Sequence, residues 1–121
     1  MDNKEFANEL EDRTRKFAVS IIKLSASLPK TPEGLVIRNQ ITKSGTSVGA
    51  NYREANRARS KADFKSKIKI CEAEVSETQY WLEIIIEVGF LPKERIVAKY
   101  KECSELLAIF SSIGKHVVKS L

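Results

Sequence analysis

The chain has 121 residues, of which 42% are hydrophobic and 31% are charged, and its formal net charge is +5. This length and composition predict one folded domain spanning residues 1–121 and exclude a disordered chain. Three prolines and five glycines are too few for a sheet protein, which needs turn residues at short, regular intervals.

Proline positions mark the boundary between the first two predicted helices. The first helix is expected over residues 5–28, because Pro29 cannot continue it. Thr31 can cap the next helix, and Pro32 suits its first position. The second helix is therefore expected over residues 32–58.

A capping signal and a glycine mark the remaining boundaries. Ser60 followed by Asp63 resembles a capping box, which predicts a tight turn and a third helix over residues 61–88. Gly89 is placed to end that helix in the left-handed conformation. The fourth helix is expected over residues 93–119.

Apolar and small residues recur within each segment in steps that mostly alternate four and three. This period of about 3.5 residues is typical of left-handed bundle packing. Because short loops make sequential helices antiparallel, the predicted fold is an all-α, up-down-up-down, left-handed four-helix bundle. The predicted core positions are Phe6, Leu10, Phe17, Ile21, Leu24, Leu28, Ile37, Ile41, Ser44, Val48, Asn51, Ala55, Ala58, Phe64, Ile68, Cys71, Val75, Thr78, Leu82, Ile85, Ile96, Tyr100, Cys103, Leu107, Phe110, Gly114 and Val117.

The second segment is a weak helix by propensity, since Gly45 and Gly49 each cost about 1 kcal/mol relative to alanine. A phosphate-binding loop is one interpretation, but the stretch lacks the Gly-Lys-Ser/Thr ending and a preceding strand. The favoured interpretation is structural. Small residues such as Ser44 let a neighbouring helix approach closely, and Asn51 on the core stripe acts as a polar residue that sets the register.

The third segment has an apolar arc of roughly 200°, about twice the width that one core requires. Either this helix is unusually buried within the monomer, or its second stripe packs against another subunit. The second interpretation is favoured, because a bundle this small cannot surround one helix. The predicted oligomer interface comprises Tyr80, Trp81, Ile84 and Val88.

Positive charge is concentrated between residues 52 and 69, where seven basic residues face two acidic ones. Lys61 and Lys65 would lie near a helix N terminus, where the helix dipole disfavours cations. This clustering suggests a surface that binds phosphate, although a merely solvated corner is an equal alternative. The predicted nucleic-acid-binding residues are Arg53, Arg57, Arg59, Lys61, Lys65 and Lys69.

Residues suited to catalysis or to metal binding are sparse. The one histidine, His116, has no cysteine or carboxylate nearby at ligand spacing, and a di-metal bundle would need a Glu-x-x-His pair on two helices. A serine-based triad would depend on the same histidine. We therefore expect no enzyme activity, no metal site and no cofactor.

Location is inferred from the N terminus, the apolar runs and the cysteines. No signal peptide is recognisable, and the longest apolar run is too short to span a membrane. The two cysteines are expected to be reduced core residues. These features predict a cytoplasmic protein with no membrane partner.

Several motifs of the chain together resemble a known family. They are the stretch TKSGTSVGANYREA from Thr42 to Ala55, Ser60, Asp63, Phe64, the stretch ETQYWL from Glu77 to Leu82, the stretch RTRKFA from Arg13 to Ala18, and Leu28-Pro29. With these motifs the chain resembles the four helix bundle protein family, whose members include proteins encoded inside intervening sequences of bacterial large-subunit ribosomal RNA genes. It is also similar to the accessory variability determinant of diversity-generating retroelements.

The resemblance implies a homo-oligomer, a pentamer in related structures, with RNA or DNA and a nucleic-acid-processing protein as partners. Two functional hypotheses follow. In the first, the protein is an oligomeric accessory factor that recognises the phosphate backbone of structured RNA or of an RNA–protein complex. In the second, it is an oligomeric scaffold that binds another protein and has no role with nucleic acids.

Overall fold

The protein was analysed as a computed structural model, which describes residues 1–120 and, for residues 117–120, the backbone alone. Four α-helices account for most of this part of the chain, and it contains no strand. The fold class is therefore all-α, as predicted. The helices are α1 (Asn3–Ala26), α2 (Pro32–Ala55), α3 (Lys61–Glu87) and α4 (Val97–Ser120), with a 3₁₀ turn at Lys93–Arg95.

Local signals begin and end the helices largely where the sequence predicted. Thr31 caps α2, where its hydroxyl accepts a hydrogen bond from the Gly34 N–H, and Pro32 occupies the first position. Ser60 caps α3 by accepting from the Asp63 N–H at 3.0 Å. Gly89 follows α3 with φ at +76°, a conformation that disfavours any residue with a Cβ atom.

Two boundaries differ most from the prediction, and those of α1 lie two residues earlier than predicted. Helix α2 ends at Ala55 and not at residue 58, because the next N–H groups bond only three residues back, from Arg57 to Glu54 and from Ala58 to Ala55. Before α4, one 3₁₀ turn separates Pro92 from Val97. Helix α4 therefore begins four residues later than expected.

Side-chain hydrogen bonds show that neighbouring helices run antiparallel. Ser25 of α1 accepts from the Thr42 hydroxyl of α2 at 2.9 Å, and Thr78 of α3 donates to Ser44 of α2 at 2.8 Å. Gln79 of α3 donates to Ser104 of α4, also at 2.8 Å. A second contact along each seam joins a later residue of one helix to an earlier residue of the other, as Glu54 with Lys67 does for α2 and α3, so the order is up-down-up-down.

The seam between α1 and α4 is packed less closely than the other three seams between neighbouring helices. Arg13 spans this seam, and its guanidinium donates to Glu102 at 2.6 and 2.7 Å and to Glu105 at 3.1 Å. A two-pronged bond to a carboxylate is the strongest ion-pair geometry that arginine forms. Charge therefore joins two helices whose backbones lie far apart.

The buried core follows the predicted stripes along most of each helix and departs from them at individual positions. Phe6, predicted to be buried, is 42% exposed. Tyr52 is buried in place of Asn51, which is half-buried and donates to the Ser47 carbonyl of its own helix at 2.8 Å. The prediction that Asn51 sets the register from the core is therefore wrong.

In α4 Leu106 is buried, and the predicted Leu107 is only half-buried. Cys103 and Phe110 are fully buried as predicted, so the difference is local and the helix keeps its predicted orientation. Val117 was also predicted to lie in the core, but it falls outside the described side chains.

Glycines in α2 lie where α1 approaches most closely. A Cβ atom on Gly45 would lie 2.7 Å from the Ile21 side chain, and one on Gly49 would lie 3.0 Å from the Thr14 hydroxyl. Helix α2 is continuous through both positions. The two glycines therefore serve close packing of α1 against α2.

Candidate nucleic-acid interface

The corner between α2 and α3 carries the positive charge, and both of its ends are fixed. Asn56 at the end of α2 donates its side-chain amide to Glu11 of α1 at 2.8 Å. The Ser60 cap fixes the start of α3. The turn between them exposes Arg57 and Arg59 to solvent.

Most of the predicted phosphate-binding residues have no acidic partner. Arg53 is exposed and lies 3.7 Å from the Glu11 carboxylate of α1, a contact that partly neutralises it. The other five have no carboxylate within 4.0 Å among the described residues. These five cations are Arg57, Arg59, Lys61, Lys65 and Lys69, and we call them the basic corner.

The six predicted nucleic-acid-binding residues do not lie on one face of the bundle, so they do not form a single patch. Arg53 points toward α1, as its contact with Glu11 shows. Lys65 lies seven and fourteen residues before Glu72 and Gln79, so the three share one row along α3. Glu72 lies against Gly114 of α4, and Gln79 bonds to Ser104 of α4. This row therefore follows the α4 side of the bundle.

Lys61, Lys65 and Lys69 follow one another at four-residue intervals along this side of α3, and we call them the lysine row. Each step advances about 6 Å along the helix axis. Lys61 and Lys69 are exposed, and Lys65 is half-buried. Lys67 points to the opposite side, because its ammonium lies 3.9 Å from Glu54 of α2.

Sequence reasoning missed a group of α4 residues near the lysine row. Ser111, Ser112, Lys115 and His116 line a shallow pocket together with Ala108. Gly114 lies within this stretch and touches the surface of α3. The signal that could have identified the group is the antiparallel register, which brings the end of α4 beside the start of α3.

Aromatic side chains at the corner are not available for stacking on bases. Tyr52 is 2% exposed and packs edge-on against Phe110, with ring centroids 5.6 Å apart. Burial also raises the pKa of the Tyr52 phenol. Phe64 is half-buried against the core. The corner thus offers cations without a stacking platform.

The predicted oligomer interface lies on the outer side of α3 and is incompletely covered. Tyr80 and Val88 are 52% and 54% exposed, whereas Trp81 and Ile84 are half-buried. Tyr80 packs edge-on against Trp81, whose indole N–H donates to Glu77 at 3.2 Å. The second apolar stripe of α3 therefore reaches the surface of the single chain and is not enclosed by it.

Other functional chemistry finds little support in the described part of the chain. Residues 1–116 contain no group of three or more side chains arranged to hold a metal ion. Cys71 and Cys103 are both buried, and burial raises the pKa of each thiol to about 12, so neither is a reactive thiolate at neutral pH. None of the described helices combines the length and the apolar character needed to cross a membrane.

Comparison with known protein families assigns the chain to one of them. The profile described as 23S rRNA-intervening sequence protein matches residues 7–112, which include all of α2 and α3 and most of α1 and α4. The chain belongs to the 23S rRNA-intervening sequence protein family.

A crystal structure also resembles this 23S rRNA-intervening sequence protein. It is a protein of unknown function from the S23 ribosomal protein family of Bacteroides thetaiotaomicron, and it shares 38% sequence identity with a TM-score of 0.82. The match covers 87% of this chain and 97% of the Bacteroides chain. None of the curated proteins matches the chain.

Proposed function

We propose that this 23S rRNA-intervening sequence protein is an oligomeric accessory factor that binds the phosphate backbone of structured RNA. The RNA is either free or part of an RNA–protein complex. The observation that carries the proposal is the basic corner, whose five cations have no carboxylate within 4.0 Å among the described residues. Membership in the 23S rRNA-intervening sequence protein family supports a role connected with RNA.

The basic corner is costly for the isolated protein. Its like charges repel one another, and the first turn of α3 places Lys61 at the positive end of a helix dipole. Phosphate groups would relieve both effects and would release condensed counterions on binding. A polyanion is therefore the ligand that best matches this surface.

The basic corner would recognise the phosphate backbone and the shape of an RNA. Lysine and arginine contacts to phosphates position a nucleic acid without reading its sequence. Single-stranded binding sites usually add aromatic stacking, and the nearest candidates, Tyr52 and Phe64, are buried and half-buried. These features favour folded RNA with slight sequence preference.

Self-association would place several copies of the basic corner in one assembly. The exposed apolar stripe of α3, with Tyr80 and Val88 more than half-exposed, offers a surface for contacts between copies of the chain. An oligomer would repeat the basic corner in each subunit, and several linked sites bind one long polyanion by avidity. The same stripe favours the second candidate function, an oligomeric scaffold that binds a protein.

The proposal is tested by replacing Arg57, Lys61 and Lys65 together with glutamine. None of the three side chains belongs to the buried core, so the bundle should fold. Binding of a labelled RNA hairpin, measured by fluorescence anisotropy at several salt concentrations, should weaken. The slope of log K against log salt should fall by about three, since each lost phosphate contact lowers it by roughly one.

A matched control replaces Lys23, Lys30 and Lys93 with glutamine. These exposed lysines lie toward the other end of the bundle, and the variant has the same net charge as the first one. It should retain most of the parent affinity. Equal loss in both variants would mean that net charge alone drives binding. Failure of the parent to bind RNA even at low salt would favour the protein-scaffold function.

A further inference from the structure

The pocket on α4 has polar groups that the fold does not use. The hydroxyls of Thr46 and Ser47 in α2 bond back to carbonyls of the preceding turn at 2.7 and 2.6 Å. Ser111 and Ser112 make no such bond with any described residue, and both line the pocket. Lys115, beside them, has no carboxylate within 4.0 Å in the described part of the chain. Two hydroxyl donors and one cation are thus available to a ligand.

A close contact between α3 and α4 joins this pocket to the lysine row. A Cβ atom on Gly114 would lie 3.5 Å from the Glu72 carboxylate and 3.9 Å from the Ile68 side chain. Lys115 follows Gly114 on α4, and Lys69 follows Ile68 on α3. The contact at Gly114 therefore sets the end of α4 beside the lysine row.

Helical spacing shows which pocket residues border the cleft between α3 and α4. Ser111 and Lys115 lie seven and eleven residues after Ser104, which bonds to Gln79 of α3, so both lie on the α3 side of α4. Ser112 lies seven residues after Glu105, which bonds to Arg13 of α1, so it lies on the other side of α4. Ser111, Lys115 and the lysine row therefore border the same cleft.

The electrostatic balance of the cleft favours an anion. Lys65, Lys69 and Lys115 supply three unpaired cations, whereas Glu72 is the acidic residue at the helix contact. Glu72 lies more than 4.0 Å from every cation of the described residues, so it does not neutralise them through an ion pair. A phosphate entering the cleft would gain from the three lysines and lose from the one carboxylate.

We infer that this cleft, bordered by Lys65, Lys69, Ser111 and Lys115, is a further phosphate-binding subsite of the RNA surface. The subsite rests on the proposed function and extends it from the corner between α2 and α3 onto α4. The lysine row advances about 6 Å per lysine, a step similar to the spacing of successive phosphates along a nucleic-acid strand. The strand continues from the row into the cleft, where the Ser111 hydroxyl donates to a phosphate oxygen and Lys115 supplies charge.

The test combines two substitutions that must act in opposite directions. Lys115→Gln should weaken binding of the RNA hairpin roughly two- to fivefold, the effect of one exposed ion pair, and lower the salt slope by about one. Glu72→Gln removes the carboxylate that repels the phosphate, so it should strengthen binding by a similar factor. Replacing Ser111 with alanine should weaken binding without changing the salt slope.

Matched controls make the same charge changes at the far end of the same helices. Lys101→Gln on α4 and Glu87→Gln on α3 both alter exposed residues, and both should leave RNA affinity close to that of the parent. If these controls shift affinity as much as Lys115→Gln and Glu72→Gln, the protein senses net charge and the subsite is refuted.

Failure of the subsite is distinguishable from failure of the proposed function. A parent protein that binds RNA and loses affinity on replacement of Arg57, Lys61 and Lys65, but not on replacement of Lys115, would refute the subsite alone. A parent protein that binds no RNA would refute both. Circular dichroism of each variant establishes that the helices are intact.

Discussion

At Gly45, the side chain of Ile21 occupies the space that a methyl group would need, 2.7 Å from the position of a Cβ atom. Ile21 is fully buried and β-branched, so it cannot move aside as the end of a flexible side chain would. Gly114, by contrast, would place a Cβ atom at an ordinary contact distance of 3.5 Å from Glu72. A methyl group would therefore clash at position 45, whereas position 114 has room for one.

This contrast gives a prediction at the scale of single residues. Gly45→Ala should destabilise the protein by about 1–2 kcal/mol, because the cost of overpacking exceeds the gain in helix propensity. Gly114→Ala should stabilise it by up to about 1 kcal/mol, since only the propensity term applies. Urea unfolding followed by circular dichroism measures both changes. Stabilisation by Gly45→Ala would contradict the close approach of α1 and α2.

At the scale of elements, one buried hydrogen bond fixes the register of α2 against α3. The Thr78 hydroxyl lies 2.8 Å from both the Ser44 hydroxyl and the Glu74 carbonyl, and Ser44 and Thr78 are fully buried. A shift of either helix would break this bond between the helices and leave each buried hydroxyl with only a carbonyl of its own helix, Glu74 for Thr78 and Ile41 for Ser44. The contact thus performs in α2 the role that the sequence had suggested for Asn51.

A double-mutant cycle tests this role. Ser44→Ala and Thr78→Val should each destabilise the protein by about 1 kcal/mol, because each leaves part of a buried polar pair unsatisfied. The double variant should lose less than the sum of the two, with a coupling energy of about 0.5–1.5 kcal/mol. Additive losses would show that the two hydroxyls do not stabilise the register together. The same cycle on the exposed pair Lys67 and Glu54 should give a smaller coupling.

At the scale of the whole molecule, the apolar stripe on the outer side of α3 is the largest departure from an ordinary monomer surface. Tyr80 and Val88 are more than half-exposed, and Trp81 and Ile84 extend the stripe toward the core. Such a surface is stable in water when another subunit or a partner covers it.

Light scattering tests whether copies of the chain cover this stripe. We expect the parent protein to have a mass several times the 13.6 kDa of one chain, about five times for the pentamer that the family resemblance implies. Val88→Glu should lower the mass, because a buried carboxylate without a partner destabilises an interface. Val19→Glu changes an exposed apolar residue of α1 and should leave the mass unchanged. A parent of monomer mass at micromolar concentration would contradict self-association.

The sequence by itself determined the number of helices, their order and most of their ends. Thr31, Ser60 and Gly89 act on backbone groups within one turn, so their effects can be predicted without knowledge of the rest of the chain. The concentration of positive charge between residues 52 and 69 could also be identified from the sequence. These features depend only on residues that are close together along the chain, so the sequence is enough to predict them.

Only the tertiary structure decided which side of each helix faces which neighbour. Packing buried Tyr52 and Leu106 in place of Asn51 and Leu107, although the neighbouring predicted positions Val48 and Phe110 stayed in the core. Packing also directed Arg53 toward Glu11 of α1, away from the lysine row, and brought the end of α4 beside that row. Helix rotation is set by simultaneous contacts with neighbours distant in sequence, and periodicity in one helix leaves that angle undetermined to within one residue.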